Sequence, residues 1–453
     1  MPRYNRTGRA EPAVQAPMQQ SADAITINPV ERPLDATLTL PGSKSYSNRA
    51  LLIAALAEGR SQITQALFSD DTHYMHEALA ALGVEVIADA AVRRFDVQGV
   101  SGRFPASQAE LFTGNAGTAA RFLTAAVALA HGTFVVDGSE RMRQRPIQPL
   151  IDGLRQLGVV IASRDGNGCP PVEVQARGIP GGRALVRGDI SSQYLSALLL
   201  AGPYMERGLK LEVEGELVSA PYIDMTLASM AAFGVQVERD GARRFRVPAG
   251  QRYRGRAYAV EPDASGASYF FAAAAVTGGR VRVEHLGAGS AQGDLGLLDV
   301  LEAMGCTVTR GADAIEVRGP ARLRGVEADF TRMGDVATTL LAIAPFADGP
   351  VTVRGVAQTH YEESDRPVAA AAELRRMGIR VEHDWDSVTV YPGAPQPAVI
   401  ETYDDHRIAM SFAVTGLRAP GIRISNPRCV AKTFPDYFAV LARACGADAG
   451  IRG

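Results

Sequence analysis

Six times along the chain a small polar anchor precedes an Ala- and Leu-rich run. The copies read PGSKSYSNRALLIAALA from Pro41, GNAGTAARFLTAAVALA from Gly114, GDISSQYLSALLLAG from Gly188, PDASGASYFFAAAAV from Pro262, GDVATTLLAIAPFA from Gly334 and YDDHRIAMSFAVTGL from Tyr403. Their starts lie 73, 74, 74, 72 and 69 residues apart. A second marker keeps step: LGVEV at Leu82, LGVVI at Leu157, FGVQV at Phe233, MGCTV at Met304, MGIRV at Met377 and CGADA at Cys445. Two markers in phase six times define a structural repeat, so the chain is built from six copies of one supersecondary unit.

Within the third copy the hydrophobic periodicity alternates between strand and helix. RALVRGD reads as a strand, the anchor run as a helix, KLEVEG as a strand, DMTLASMAAFG as a second helix, and VQVERDG with ARRFRVPA as a hairpin. The unit is therefore βαβαββ, with the marker Gly stopping the second helix as a C′ residue. The sixth copy ends after its second helix. The N-terminal strands expected around Ile25 to Asn28 and Ala36 to Leu40 are read as supplying its missing pair. The fold class that follows is α/β (α+β), with two lobes of three βαβαββ repeats each. Residues 43–261 form one lobe, residues 23–42 plus 262–453 form the other, and residues 1–22 form a flexible tail. Crossings near Gly42 and Glu261 act as the hinge.

The chain has 453 residues, with 47 Lys plus Arg against 49 Asp plus Glu. A net charge of −2 supplies no global field for a polyanion or an anionic membrane, so any anion site must be local. The longest uncharged stretches, 190–205 and 264–279, fall short of the roughly 20 apolar residues that span a bilayer. Cys169, Cys306, Cys429 and Cys445 are scattered without a C-x-x-C pair, which argues against a disulfide framework and a zinc site and fits a reducing cytoplasm. The first 22 residues lack the apolar segment of a secretory signal. Arg3, Arg6 and Arg9 there are compatible with a transit peptide, which Glu11 and Asp23 disfavour.

Each anchor places Ser, Asp, Asn or Thr at a helix start, where free N–H groups and the helix dipole favour negative charge. Taken singly, each is satisfied by plain N-capping. Cations decorate several of them: Lys44 and Arg49 in the first, Arg121 in the second and Arg407 in the sixth. Arg141, Arg143 and Arg145 in ERMRQRP, Arg366 in EESDRP and Lys432 in AKTFPD stand just ahead of second helices. Together they describe a cleft for substrates carrying several negative charges. Asp335 and Glu363 are the acidic candidates. In a cationic cleft two carboxylates divide general-base and general-acid work; outside it, they read as a helix cap and a surface acid.

Other chemistries find little support. The chain has no G-x-x-x-x-G-K-[ST], no G-x-G-x-x-G and no H-E-x-x-H. His73 and His76 lie at i, i+3 on an expected helix without a third ligand, so no metal and no cofactor is assigned. His406 reads as a packing residue, and the aromatic residues form no stacking platform for nucleic acid.

From about residue 25 onward, LPGSKSYSNRALL, GNAGTAAR, RMRQRPI, DISSQYLSALL, APYIDMT, YDDHRIAM and AKTFPDYF resemble the 5-enolpyruvylshikimate-3-phosphate synthase family of enolpyruvyl transferases. The resemblance implies an inside-out α/β barrel in each lobe and a monomeric, cytoplasmic enzyme with two small-molecule substrates, needing neither nucleic acid nor membrane. The implied reaction transfers the enolpyruvyl group of phosphoenolpyruvate to the 5-hydroxyl of shikimate 3-phosphate, releasing phosphate. Matched motif by motif, Lys44, Ser45, Arg49, Ser191, Ser192, Gln193, Ser219, Tyr222, Asp335 and Gln358 would meet shikimate 3-phosphate. Lys44, Asn115, Gly117, Arg141, Gln193, Arg366, Arg407 and Lys432 would meet phosphoenolpyruvate, and Asp335, Glu363 and Lys44 would be catalytic.

Two related families fit less well. UDP-N-acetylglucosamine enolpyruvyl transferases typically carry a Cys in the loop that here reads GSERMRQRP, and RNA 3′-terminal phosphate cyclases should show a catalytic His and a basic face. A non-enzymatic scaffold would need no cations at its helix starts. The chain also departs from the resembled family. HYEESDR stands where R-V-K-E-[ST]-[DE]-R is usual, placing His360 for Arg and Glu362 for Lys; Gln358 stands for Asn, and Phe122 for the Pro after Arg121. These changes point to a rearranged phosphoenolpyruvate pocket that binds the family's inhibitor glyphosate poorly, although Gly117 is retained. The cationic helix ends are expected to hold the lobes apart until shikimate 3-phosphate bridges them.

Overall fold

A computed structural model describes residues 24–446. The tail expected at 1–22 lies outside the described residues. Helices come in pairs, one anchor helix and one second helix per unit: α1 Lys44–Leu56 and α2 Asp70–Ala81, α3 Gly117–Val127 and α4 Gln148–Gln156, α5 Gln193–Ala201 and α6 Pro221–Ala232, α7 Ala264–Thr277 and α8 Leu297–Ala303, α9 Ala337–Ile343 and α10 Arg366–Arg376, α11 His406–Gly416 and α12 Tyr437–Cys445. The six marker glycines, Gly83, Gly158, Gly234, Gly305, Gly378 and Gly446, all have positive φ, between 77° and 102°. That left-handed conformation ends a helix without a Cβ penalty, which is why the second marker recurs as Gly.

The anchor helices are apolar almost all round, and such helices belong in a core. Every residue of α3, α9 and α11 is buried, and in α1 only Lys44 is not fully so. They pack on one another, α1 with α3 and α3 with α5, then α7 with α9 and α11. The sheets and second helices wrap outside them. Two hydrophobic cores result, one drawn from residues between Tyr46 and Val260, the other from Ile27 to Leu40 together with Ala264 to Ala444. The fold is thus mixed α/β in two lobes of three units, as the repeat count requires. None of the described helices is long and apolar enough to cross a membrane.

In the second unit, strands Gln108–Phe112 and His131–Asp137 run parallel on either side of α3 in sequence, and the hairpin Val160–Ser163, Val172–Arg177 pairs antiparallel to the second of them. The third and fifth units repeat this pattern. The other three borrow strands, which corrects part of the sequence reading. Ala24–Ile27 does pair antiparallel with Ile422–Ser425 of the sixth unit, taking one of the two missing places. Asp35–Leu38 instead pairs parallel with Arg280–Glu284 and opens the fourth unit. Ala257–Ala259 opens the first unit by pairing with Arg60–Thr64. At each crossing the chain leaves a strand of one lobe and enters an anchor helix of the other, so strand and helix of one repeat part company. Hydrophobic periodicity reports a strand's faces and not its neighbour.

The two crossings are tied to each other. Ser43 N donates to Glu261 O at 2.8 Å and Asp263 N to Pro41 O at 3.0 Å. The Asp263 carboxylate then caps two helices at once, accepting from Gly266 N of α7 at 2.7 Å and from Lys44 N of α1 at 3.0 Å. Both lobes therefore aim anchor-helix N-termini at one cleft.

Candidate active site

The cleft is lined by Lys44, Ser45 and Arg49 of α1, Gly117 at the start of α3, and Ser191, Ser192 and Gln193 at the start of α5. Ser219 and Tyr222 complete that side; Asp335, Gln358, Glu362, Glu363 and Arg366 face them from the other lobe. Ser219 holds φ 53°, a strained value for a residue with a side chain, while its N–H donates to Thr331 O across the lobes at 2.9 Å. A Cβ on Gly117 would come within 2.9 Å of Arg145 Nη2 and 3.1 Å of Gln193 Oε1, so any larger residue would push one of these side chains from its place in the cleft.

The cations do not repel across the cleft, because carboxylates of the protein stand between them. Arg366, at the start of α10, is 3% exposed and donates three ways: Nε to Asp405 Oδ2 at 2.9 Å, Nη1 to Asp335 Oδ1 at 2.9 Å and Nη2 to Glu363 Oε2 at 2.6 Å. Arg407 Nη2 lies 2.7 Å from Asp335 Oδ2. Asp71 at the start of α2 pairs with Lys432 across the lobes at 2.7 Å and with Lys44 at 3.4 Å. Lys432 also donates to Asn115 O at 2.7 Å and stands 3.5 Å from Glu363 Oε1. Arg145, equally buried, meets Glu362 Oε2 at 2.6 Å, Glu363 Oε1 at 3.4 Å, and both oxygens of Asn115 at 3.1 Å. Lobes expected to stand apart are instead joined by ion pairs of alternating sign.

These pairings set the protonation states. Burial alone would raise the Asp335 carboxyl, but Arg407, Arg366 and Lys44 hold it below the usual carboxylate range. Burial is likewise overcome at Glu363, which Arg145, Lys432, Arg366 and Lys44 hold well below that range. Burial would lower Lys44; Asp71 and Glu363 outweigh it and raise the ammonium. Arg49 is pushed down to about 10 by burial. Its guanidinium is spent on Thr226 Oγ1 at 2.8 Å, Ser45 O at 2.9 Å and Tyr222 O at 3.0 Å, with the Phe122 ring 5.2 Å away. His406 is fully buried, its ring nitrogens make no hydrogen bond, and burial followed by Arg407 pushes its pKa well down, so it is a neutral packing residue.

A family model for EPSP synthase, 3-phosphoshikimate 1-carboxyvinyltransferase, matches residues 30–441. The chain belongs to the EPSP synthase family. It is 50% identical over 416 residues to the 3-phosphoshikimate 1-carboxyvinyltransferase of Nostoc sp., covering 92% of this chain and 98% of that one. The chloroplastic enzyme of Brassica napus is 46% identical over 441 residues, covering 93% and 85%. Among solved structures, EPSP synthase from Acinetobacter baumannii superposes with a TM-score of 0.79 at 28% identity, covering 93% of this chain and 98% of that one.

The cleft gathers most of the residues that the sequence singles out. Lys44, Ser45, Arg49, Gly117, Ser191, Ser192, Gln193, Ser219, Tyr222, Asp335, Gln358, Glu363 and Arg366 line it. Arg407, Lys432 and Asn115 touch that lining through Asp335, Glu363 and Arg145. Arg141 is placed differently. Its guanidinium donates to the backbone carbonyls of Glu362, at 2.9 and 3.1 Å, and of His360, at 3.3 Å, fastening that segment to the opposite lobe. The sequence counts Arg145 among the cleft cations without giving it a ligand, and it does not single out Asp71 or Asp405. Arg145 shares the ERMRQRP motif with Arg141 and was separable from it only by geometry. Asp71 lies in the first turn of α2, and Asp405 caps α11, accepting from Arg407 N at 2.9 Å. Glu362, at 23% side-chain exposure, turns into the cleft and not to solvent.

Proposed function

We propose that this cleft transfers the enolpyruvyl group of phosphoenolpyruvate to the 5-hydroxyl of shikimate 3-phosphate with release of phosphate, the reaction of its family. The observation that carries the reading is Arg366, whose one guanidinium holds Asp335 and Glu363, the two carboxylates that a proton-coupled addition needs. Ser191, Ser192, Ser219 and Arg49 hold shikimate 3-phosphate with Gln193 and Gln358. Lys44, Asn115, Gly117, Arg366, Arg407 and Lys432 hold phosphoenolpyruvate, and Arg141 positions the Glu362 segment beside it. Planar Arg forks suit its carboxylate and phosphate.

Asp335 takes the 5-hydroxyl proton as the oxygen bonds to C2 of phosphoenolpyruvate, and Glu363 delivers a proton to the C3 methylene. The tetrahedral adduct then loses phosphate as Glu363 takes back a methyl proton. As a bare carboxylate Glu363 has no proton to give. Substrate anions supply the remedy: by drawing Arg145, Arg366 and Lys432 onto themselves they relieve Glu363, and its pKa rises toward the working range. The same transfer of Arg366 and Arg407 makes Asp335 a stronger base. The lobes divide at 43–261 and at 24–42 plus 262–446, and the ion pairs between them already gather both substrates' cations at one cleft.

The test is release of phosphate from phosphoenolpyruvate, dependent on shikimate 3-phosphate. Asp335→Asn and Glu363→Gln should each lower kcat by about 10² or more while binding of shikimate 3-phosphate persists. Phosphate release that does not require shikimate 3-phosphate would refute the reading. Near-native kcat in either variant would remove the role given to that residue.

A further inference from the structure

One buried acid behind Tyr222 of the cleft wall has no part in this mechanism. Asp294 lies in the 3₁₀ turn Gly293–Gly296 that leads into α8, and it is 5% exposed. Its Oδ1 meets no hydrogen-bond partner. Its Oδ2 accepts from the hydroxyl of Ser265, at the start of α7, and lies 3.5 Å from the hydroxyl of Tyr222. That same Tyr222 hydroxyl donates to Asp335 Oδ2 at 2.6 Å. Tyr222 therefore stands between the acid that must accept the substrate's proton and a second acid with an idle oxygen. A structural carboxylate this deeply buried is normally paired with a cation or fully hydrogen-bonded. Asp294 is neither.

We propose that Asp294 is the terminal proton acceptor of a relay that runs from the acceptor hydroxyl through Asp335 and Tyr222. The proposal rests on the enolpyruvyl-transfer reading above. When the 5-hydroxyl oxygen attacks, its proton passes to Asp335; the Tyr222 hydroxyl turns its hydrogen from Asp335 Oδ2 to Asp294 Oδ2 and closes the 3.5 Å gap, the Asp335 proton passes to the Tyr222 oxygen, and the Tyr222 proton passes to Asp294 Oδ2. Each O–H bond broken is matched by one formed, Tyr222 stays neutral, and Asp335 is again a carboxylate. On elimination the proton returns by the same route and leaves with the phosphate.

Such a device answers a specific weakness. Asp335 sits between Arg366 and Arg407, and even after the substrates draw on both cations a carboxylate in their company holds a proton weakly, so a second acceptor keeps the proton until elimination. The groups facing Asp294 are Asp335 and Tyr222, Arg407 from α11, Asp263 capping α7, and Ser265. Burial, then the charge of Asp335, raises the Asp294 carboxyl to about 7, where it holds a proton and releases it at neutral pH. Tyr222, pushed well above its usual value by burial and by both acids, conducts the proton without ionising.

The experiment is the pH dependence of kcat at saturating substrates, for wild type, Asp294→Asn and Tyr222→Phe. Asp294 accepts only when ionised, so wild-type kcat should rise with pH through an inflection above the ordinary carboxylate range and then level off. Asp294→Asn is isosteric; it should cost about tenfold or more in kcat, leave both KM values within about threefold, and abolish the inflection. Tyr222→Phe cuts the relay in the middle and should also abolish it, which keeps the test decisive if Asp294→Asn fails to fold. Persistence of the inflection in either folded variant, even with lowered kcat, would mean that Asp294 only positions Tyr222 and would overturn the relay. No shikimate 3-phosphate-dependent turnover in the wild type would overturn the underlying reading instead.

Discussion

Arg366→Gln should cost the folded protein about 3–5 kcal/mol, the range for removing one partner from a buried charge cluster. The structure says where that loss falls. Without Arg366, Asp335 keeps Arg407 at 2.7 Å, and Glu363 keeps Arg145 at 3.4 Å and Lys432 at 3.5 Å. Asp405, 0% exposed, keeps only neutral donors, the Ser364 hydroxyl at 2.9 Å and the Arg407 N–H at 2.9 Å. The cost therefore concentrates on one orphaned carboxylate, and Asp405→Asn should relieve it. Urea unfolding followed by circular dichroism, on wild type, both single variants and the double, closes the cycle. The double variant should be less destabilised than the sum of the singles by about 1–3 kcal/mol. The pH dependence has a definite sign. Asp335 and Glu363 are depressed in the folded protein, so their contribution is present above the unfolded carboxylate pKa and is lost as pH falls through the folded values. Removing Arg366 raises both values, so the window of acid stability should narrow and acid unfolding begin at higher pH. A loss below about 1 kcal/mol, or strict additivity with Asp405→Asn, would refute the view that Arg366 is the hub of the cluster.

Two other outcomes follow from the ion pairs. Asp71→Asn removes the carboxylate that ties Lys432 to the opposite lobe, so the radius of gyration by small-angle scattering should rise in the free protein and fall on adding shikimate 3-phosphate. An unchanged radius would show that Asp71 does not hold the lobes together. Glu362 holds Arg145 at 2.6 Å, and Phe122 is fully buried beneath Arg49. The wild type should therefore bind glyphosate weakly relative to its KM for phosphoenolpyruvate, and Glu362→Lys, which frees Arg145, should tighten inhibition about tenfold, the worth of roughly 1.4 kcal/mol. Phe122→Pro tests the second departure. Strong inhibition of the wild type, well below that KM, would sink the idea.

The repeat was legible because helix packing imposes it locally. An anchor helix buried all round must be apolar all round, and a helix that ends in a left-handed residue must place Gly there, so both markers survive in a single sequence. The assignment of Asp35–Leu38 to the sixth unit failed for a physical reason. A strand's edge partner is chosen by where the chain goes next, and here Gly42 carries it into the other lobe. The site divided along similar lines. Cations at helix starts stood out against an Ala- and Leu-rich background, as with Lys44 and Arg407. Their counter-charges did not, because Asp71 and Asp405 occupy positions where any helix accepts an acid. Only the fold could reveal that Asp71 meets Lys432, 361 residues away.

The borrowed strands impose an order on synthesis. Within the core drawn from residues 46–260, the most distant strand pairing is Gln62 with Ala257, a separation of 195, so this lobe holds all its strands once residue 259 has left the ribosome. The other lobe must wait. Asp35 pairs with Arg280 and Ala24 with Ser425, separations of 245 and 401, so its first two strands are made early and stay unpaired until the rest of the chain arrives. At about 5–20 residues per second, residues 262–446 take roughly 10–40 s to emerge. Through that interval two strand edges are exposed beside a finished neighbour, which is the condition under which chains seek partners elsewhere. A circular permutant that joins residue 446 to residue 24 and opens the chain at residue 43 would make both lobes continuous in sequence. It should refold with less aggregation than the natural order.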